Sequence, residues 1–159
     1  MDIYQAIKED HEIQRDLCAR LLKTSGESEE RKKLWSELRK ELEVHEVAEE
    51  RYFYSPLIDT DRMQEDARHG MAEHHEIDEL IQELEDTKME SPHWLATMKK
   101  LSDKVHHHLE DEEEEFFEKS KKIYSQNEIK ELTEGYQKTR EEYKKGWPDS
   151  IPGSDSDVE

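Results

Sequence analysis

The shift that carries His11 onto His74 lays the first part of this 159-residue chain over the second. The same shift carries His45 onto His108 and Glu49 onto Glu112. Leu17 lands on Leu80, Leu21 on Leu84, Leu38 on Leu101, Leu42 on Val105 and Phe53 on Phe116. The interval from His11 to His45 therefore equals that from His74 to His108. The apolar residues recur with a period near 3.6 and nowhere alternate with period two, so the repeated unit is a pair of helices and strands are not expected. Start and stop signals divide the chain accordingly. Asp2 with Gln5 and Ser125 with Glu128 read as capping boxes, Ser28 as a cap, Ser91-Pro92 as an N-cap followed by a first-turn proline, and Ser25-Gly26 as a stop. Asp61 with Gln64 reads as a further helix start. The expected helices cover about 2–24, 28–55, 61–87 and 91–124. Their short connections imply an all-α, up-down-up-down antiparallel four-helix bundle over 1–125. A shorter additional helix is expected over 126–145, and a flexible acidic tail over 146–159.

The core available to such a bundle is thin. Leu, Ile, Val and Phe number 29, charged residues make up 42 % of the chain, and the formal net charge is −19. That balance ordinarily signals disorder. A folded chain of this composition needs a supplement, and a metal bound only in the folded state supplies one. No apolar run is long enough for a transmembrane helix. The acidic start MDIYQAIKEDHE is unlike a signal peptide. Strong negative charge argues against nucleic acid and anionic membrane as partners. A single cysteine, Cys18, forms no internal disulfide and suits a reducing cytoplasm.

Polar residues interrupt the apolar stripes at fixed places: His11, His45 and Glu49, His74, His108 and Glu112. Inward-facing His and Glu are costly unless paired or metal-bound. His followed four residues later by Glu puts both on one helix face. Glu is so abundant here that this spacing alone selects little. His45/Glu49, His69/Glu73, His75/Glu79, His106/Glu110 and His108/Glu112 all show it, but only the first and last also obey the repeat and lie in an apolar stripe. Counted from the turns of antiparallel hairpins, all four repeated histidines fall at similar heights, so four His and two Glu converge in one layer. Imidazole with carboxylate suits two Fe, Mn or Zn ions better than Ca or Mg. Two shared carboxylates would bridge the pair and leave coordination positions open.

The elements EDH at 9–11, HEVAEERYFYSPL at 45–57, EHHEIDEL at 73–80 and HLEDEEEEFF at 108–117 resemble the hemerythrin-like, HHE cation-binding domain over about residues 1–120. The resemblance implies a non-haem di-iron centre (Fe2+/Fe3+, carboxylate- and oxo/hydroxo-bridged) inside a four-helix bundle. By position its metal ligands fall on His11, His45, Glu49, His74, His108 and Glu112. It implies that a diatomic ligand, dioxygen or nitric oxide, is bound or sensed at an open iron position. The alternative it offers is scavenging of peroxide or nitric oxide, or iron donation to damaged iron centres; whether the protein is an enzyme stays open. The oxygen-carrying members place a second histidine four residues along the third helix, where this chain has Asp78. Their final carboxylate is an Asp five residues after the last histidine, where this chain has Glu112 four after His108. The chain is therefore closer to the sensing, scavenging or repair branch, as a monomer or homodimer with signals passed through a separate protein partner.

The remaining candidates have plainer readings. His75 lies about 100° from the stripe, so it belongs to the surface. His106 and His107 belong to the rim, and His69 and His93 are ordinary. Cys18 is a small core residue. Trp35, Tyr4, Tyr52, Tyr54, Phe53 and Phe116 belong mostly to the core or the bundle ends, from where a tyrosine could hydrogen-bond a metal ligand.

Overall fold

The computed structural model describes residues 1–152. The part of the expected tail at 153–159 lies outside the described residues. The chain is all-helical among them, in the order α1 (Ile3–Leu21), α2 (Glu29–Glu49), a π-helical turn (Glu50–Tyr54), α3 (Ser55–Ile58), α4 (Gln64–Glu85), α5 (Pro92–Asp111), a second π-helical turn (Glu112–Phe116), α6 (Phe117–Ser120) and α7 (Gln126–Gly146). The α1–α2 and α4–α5 hairpins pack together through α1 against α5 and through the first π turn and α3 against α4. α7 lies outside this bundle, across α1 and α2.

The caps at Asp2, Ser28, Ser91 and Ser125 form as their sequences imply, with reciprocal capping boxes at the first and last. Gly26, at φ 60°, supplies the left-handed turn between α1 and α2. The expected start at Asp61 does not form. α4 begins after Met63 without a side-chain cap. Thr60 bonds back to Leu57, Gln64 N–H donates to Thr60 O, and Met63 is buried, so packing of Met63 fixes this end of the helix.

The apolar pattern gives no sign of the two π turns. Each comes directly after or at a repeated Glu, and Ser55 N–H donates to Glu50 O while Phe117 N–H donates to Glu112 O, five residues back. They occupy nearly equivalent places in the two repeats. A π turn adds a residue within a helix and rotates the next turn, and such turns recur at functional sites.

Two apolar clusters result, with the polar layer between them. One holds Leu17, Cys18, Leu38, Leu42, Ile77, Ile81, Leu101 and Val105. The other holds Ile3, Ile7, Phe53, Tyr54, Phe116, Phe117 and Tyr136. Burial pushes the Cys18 thiol up to about 12 despite a bond with Ser102, which leaves it a core side chain and not a nucleophile. Beyond α7, Trp147 donates to Glu43 and lies against Arg39, so the chain remains docked on α2 as it leaves the last helix. No helix among the described residues is long and apolar enough to cross a membrane.

Candidate metal centre

The layer between the two clusters contains all six residues singled out by the repeat. His11, His45, Glu49, His74, His108 and Glu112 are each no more than 3 % exposed. They fall into two groups with donor atoms within 4.8 Å of one another: His11, His45, Glu49 and Glu112 in one, Glu49, His74 and His108 in the other. Glu49 belongs to both. Its Oε2 lies 3.4 Å from His45 Nε2 and its Oε1 3.0 Å from His74 Nε2. Glu112 repeats the arrangement, with Oε1 3.1 Å from His11 Nε2 and Oε2 3.9 Å from His108 Nε2. Each carboxylate thus reaches toward one histidine from each hairpin.

The outer nitrogens follow the same symmetry. His11 Nδ1 meets Glu113 at 2.6 Å, His74 Nδ1 meets Glu50 at 3.0 Å, His45 Nδ1 meets Asp10 at 3.1 Å and His108 Nδ1 meets Glu73 at 2.8 Å. An ionised carboxylate only accepts, so Nδ1–H donates in all four and Nε2 is directed inward. The shift that relates His11 to His74 also carries Asp10 onto Glu73 and Glu50 onto Glu113. The repeat therefore specifies four supporting carboxylates as well as the six central residues. The apolar stripes do not select those four, although the shift identifies them.

The orphaned atoms of the centre suit a metal. His11 Nε2, His45 Nε2, both oxygens of Glu49 and Oε1 of Glu112 are buried with no hydrogen bond, although they face one another. Buried polar atoms are rarely left this way unless something else satisfies them. Four imidazole nitrogens and two carboxylates are the donor set of first-row transition metals. In the metal-free chain the charges compensate as protons. Burial alone would lower His45 and His74, but Glu49, Asp10 and Glu50 outweigh it. His45 is raised well above its ordinary value, and His74 to about 9. Burial would raise Glu49, yet the charge on His45 and the close approach of the His45 and His74 Nε2 atoms hold it well below the carboxylate range. Glu112 is pushed up by burial and by the charge of Glu49.

Two features break the symmetry. Tyr54 occupies the place that Phe117 takes in the second repeat; its hydroxyl donates to Glu112 Oε2 and lies 3.4 Å from His108 Nε2. Burial, then the charges of Glu112 and Glu49, keep this phenol protonated. The second feature is α7. Tyr136 donates to Asp10 and lies 2.7 Å from His45 Nδ1, and Arg140 pairs with Asp10 at 2.6 Å. Sequence reasoning does not single out Tyr54 or the α7 residues as touching the centre, because the repeat has nothing to say where its two halves differ.

The other histidines stay outside. His75 is 78 % exposed and faces Glu79 on the surface of a regular α4. His106 bonds to the Ser102 carbonyl, His107 pairs with Asp111, and His93 faces Glu83. Asp78 is also exposed and does not enter the centre.

A family model described as the hemerythrin HHE cation binding domain matches residues 2–120. The chain is also similar in fold to a crystal structure of a hemerythrin HHE cation binding domain-containing protein, the Rv2633c homolog from Mycobacterium kansasii. The TM-score is 0.81 at 22 % identity, over 92 % of this chain and 89 % of that one. The comparison with curated proteins gives no significant match. With most of its length inside the matched region and the cation-binding layer built as described, the chain belongs to the hemerythrin HHE cation-binding domain family.

Proposed function

We infer that this protein holds two iron ions and binds or senses a diatomic ligand, dioxygen or nitric oxide, at an open iron position. The observation that carries this reading is the set of buried, orphaned Nε2 and carboxylate oxygen atoms shared between two groups through Glu49. His11 and His45 would hold one ion, His74 and His108 the other, with Glu49 and Glu112 shared. Bound iron would supply reversible electron transfer to a small ligand. The protein's own part is to orient and to exclude. The four outer carboxylates fix the imidazole tautomer and ring angle and raise the basicity of each Nε2. The flanking apolar clusters keep bulk water from the layer. Four His and two Glu are too few to fill two six-coordinate shells, which leaves room for a ligand.

A second reading, turnover of peroxide or nitric oxide or release of iron for repair, is favoured by Tyr54. Its hydroxyl holds a proton beside Glu112 and His108, where a reacting ligand would need one. Rapid mixing of the reduced, iron-loaded protein with oxygen, nitric oxide and peroxide separates the two. A stable adduct reversed by removing the gas supports binding or sensing. Multiple turnovers or loss of iron supports the second reading. Metal analysis that finds no iron, with no uptake by the metal-free protein, overturns both.

A further inference from the structure

The pseudo-symmetry of the centre gives two equivalent approaches to it, behind Asp10 and behind Glu73, and the structure treats them oppositely. Behind Asp10 the approach is sealed. α7 covers it, Tyr136 and Arg140 bind the carboxylate, and Asp10 is fully buried. Its repeat-related flanks are Ala6 and Ala48, also fully buried and without donor atoms. Behind Glu73, among the described residues, nothing equivalent to α7 lies. The flanking positions are His69 and Asp111, and the donor atoms of His69, Glu73 and Asp111 lie within 4.8 Å of one another. All three line a cavity of about 100 Å³, His69 and Asp111 on its exposed side and Glu73 deeper, and its wall also includes Tyr54, His108 and Glu112.

We propose that His69, Glu73 and Asp111 form a transit site for a divalent cation, through which iron enters the centre from the Glu73 side. The proposal rests on the metal-binding reading above. One imidazole and two carboxylates neutralise a 2+ ion and suit ferrous iron. His69 is 67 % exposed and Asp111 is on the rim, so a hydrated ion is captured without full desolvation. Glu73 is the step inward: its Oε1 lies 3.6 Å from His69 Nε2 and accepts from His108 Nδ1 at 2.8 Å. Lys104, one nearby cation, is drawn aside to Glu76 and stands 3.8 Å from the far oxygen of Glu73. A site of this kind is weak by construction, and a weak site at the mouth of a path to a stronger one speeds loading without altering final occupancy.

The test is anaerobic mixing of metal-free protein with ferrous iron, quenching with a chelator at set times, and metal analysis of the protein. The double variant His69→Ala with Asp111→Asn should load about tenfold more slowly, the lower end of what electrostatic capture contributes to an on-rate. It should reach the same final iron content as wild type. The variant His75→Ala with Glu79→Gln removes the same groups from a surface pair elsewhere on α4, and should load at the wild-type rate. Equal rates for wild type and the first variant overturn the proposal, as does equal slowing by the second. A first variant that ends with less iron than wild type also overturns it, because the residues would then belong to the centre itself. Wild-type protein that takes up no iron overturns the metal-binding reading together with this one. As an independent measurement, iron-loaded wild type titrated with Mn2+ and followed by electron paramagnetic resonance should show one further weak site that the first variant lacks. Absence of that site in wild type overturns the proposal even where the variant folds poorly.

Discussion

Gly70 lies directly under the ring of Tyr54: a Cβ at Gly70 would come within 2.7 Å of Tyr54 Cζ and 2.9 Å of its hydroxyl oxygen. Glycine inside a helix normally costs about 0.5–1 kcal/mol relative to alanine. Here it makes room for the phenol that reaches Glu112. Gly70→Ala should therefore destabilise the protein where a helix-interior Gly→Ala change would ordinarily stabilise it. In a Tyr54→Ala background the same change should become neutral or stabilising. Urea unfolding of the four proteins checks this as a double-mutant cycle. Independent, additive effects would show that the ring is not held by this contact.

Metal removal should lower the melting temperature substantially. The thin core leaves six polar side chains in the central layer, and a ligand that binds only the folded state stabilises it in proportion to the logarithm of its excess over Kd. At about a thousandfold excess this is about 4 kcal/mol, or roughly 10 °C for a domain of this size. Calorimetry of metal-free and reloaded protein in one buffer measures it; coincident melting would mean that the folded layer gains nothing from metal.

His74 and His75 are neighbours with opposite roles. His74 is buried against Glu49 and Glu50, whereas His75 points to solvent beside Glu79. His74→Ala should lose at least one iron and the absorption of the oxidised centre. His75→Ala should keep both. Iron analysis with visible spectra decides, and the reverse pattern would overturn the assignment of His74 as a ligand.

Much of this centre is legible in the sequence because it repeats. All six His and Glu residues of the central layer have a like partner under one common shift, and chance does not arrange that. The same shift finds Asp10 with Glu73 and Glu50 with Glu113 once it is applied to residues beside the stripe. Whatever breaks the repeat is hidden. Tyr54 aligns with Phe117, so only three-dimensional placement shows one as a donor at the centre and the other as core. Tyr136 and Arg140 reach Asp10 from a helix with no counterpart. The π turns carry no composition signal; Pro56 alone hints that the α2 ladder changes there, because it cannot donate to an ordinary helical bond. Residues 147–152 look loose because they lack a period, yet Trp147 needs none to dock on Glu43 and Arg39.

Metal affinity should rise with pH up to about 9. In the metal-free chain His74 is raised to about 9 by Glu49 and Glu50, which overcome the effect of burial. The proton on its Nε2 occupies the proposed ligand position and would have to leave for metal to bind there, so protons should compete with metal below that value. His45, raised for similar reasons, adds to the slope. Mn2+ titrations across neutral to alkaline pH in non-chelating buffers should show affinity climbing and then levelling, with proton release on binding near neutrality. An affinity that does not change with pH would show that Nε2 is already free.

Arg140 tests the contribution of α7. Asp10 is fully buried, and burial alone would raise its carboxyl. The bonds and charges of His45, Tyr136 and Arg140 instead lower it to about 2, from an ordinary 3.8. A group depressed on folding contributes stability above its unfolded value and loses that contribution as pH falls toward its folded value. For Asp10 the window runs from just above 3.8 down to about 2. Arg140→Ala removes one charged partner from a buried acid, which should cost roughly 1–3 kcal/mol at neutral pH. The acid limb of stability should also move to higher pH, because the carboxyl then protonates earlier. Metal-free protein is the right material, since metal held by His and Glu would itself be released in acid. Urea midpoints of wild type and Arg140→Ala, measured from acid to neutral pH, should therefore differ most near neutrality and converge as Asp10 protonates in both. A constant difference across that range would assign the loss to the packing of Arg140 on Tyr136 and not to its charge.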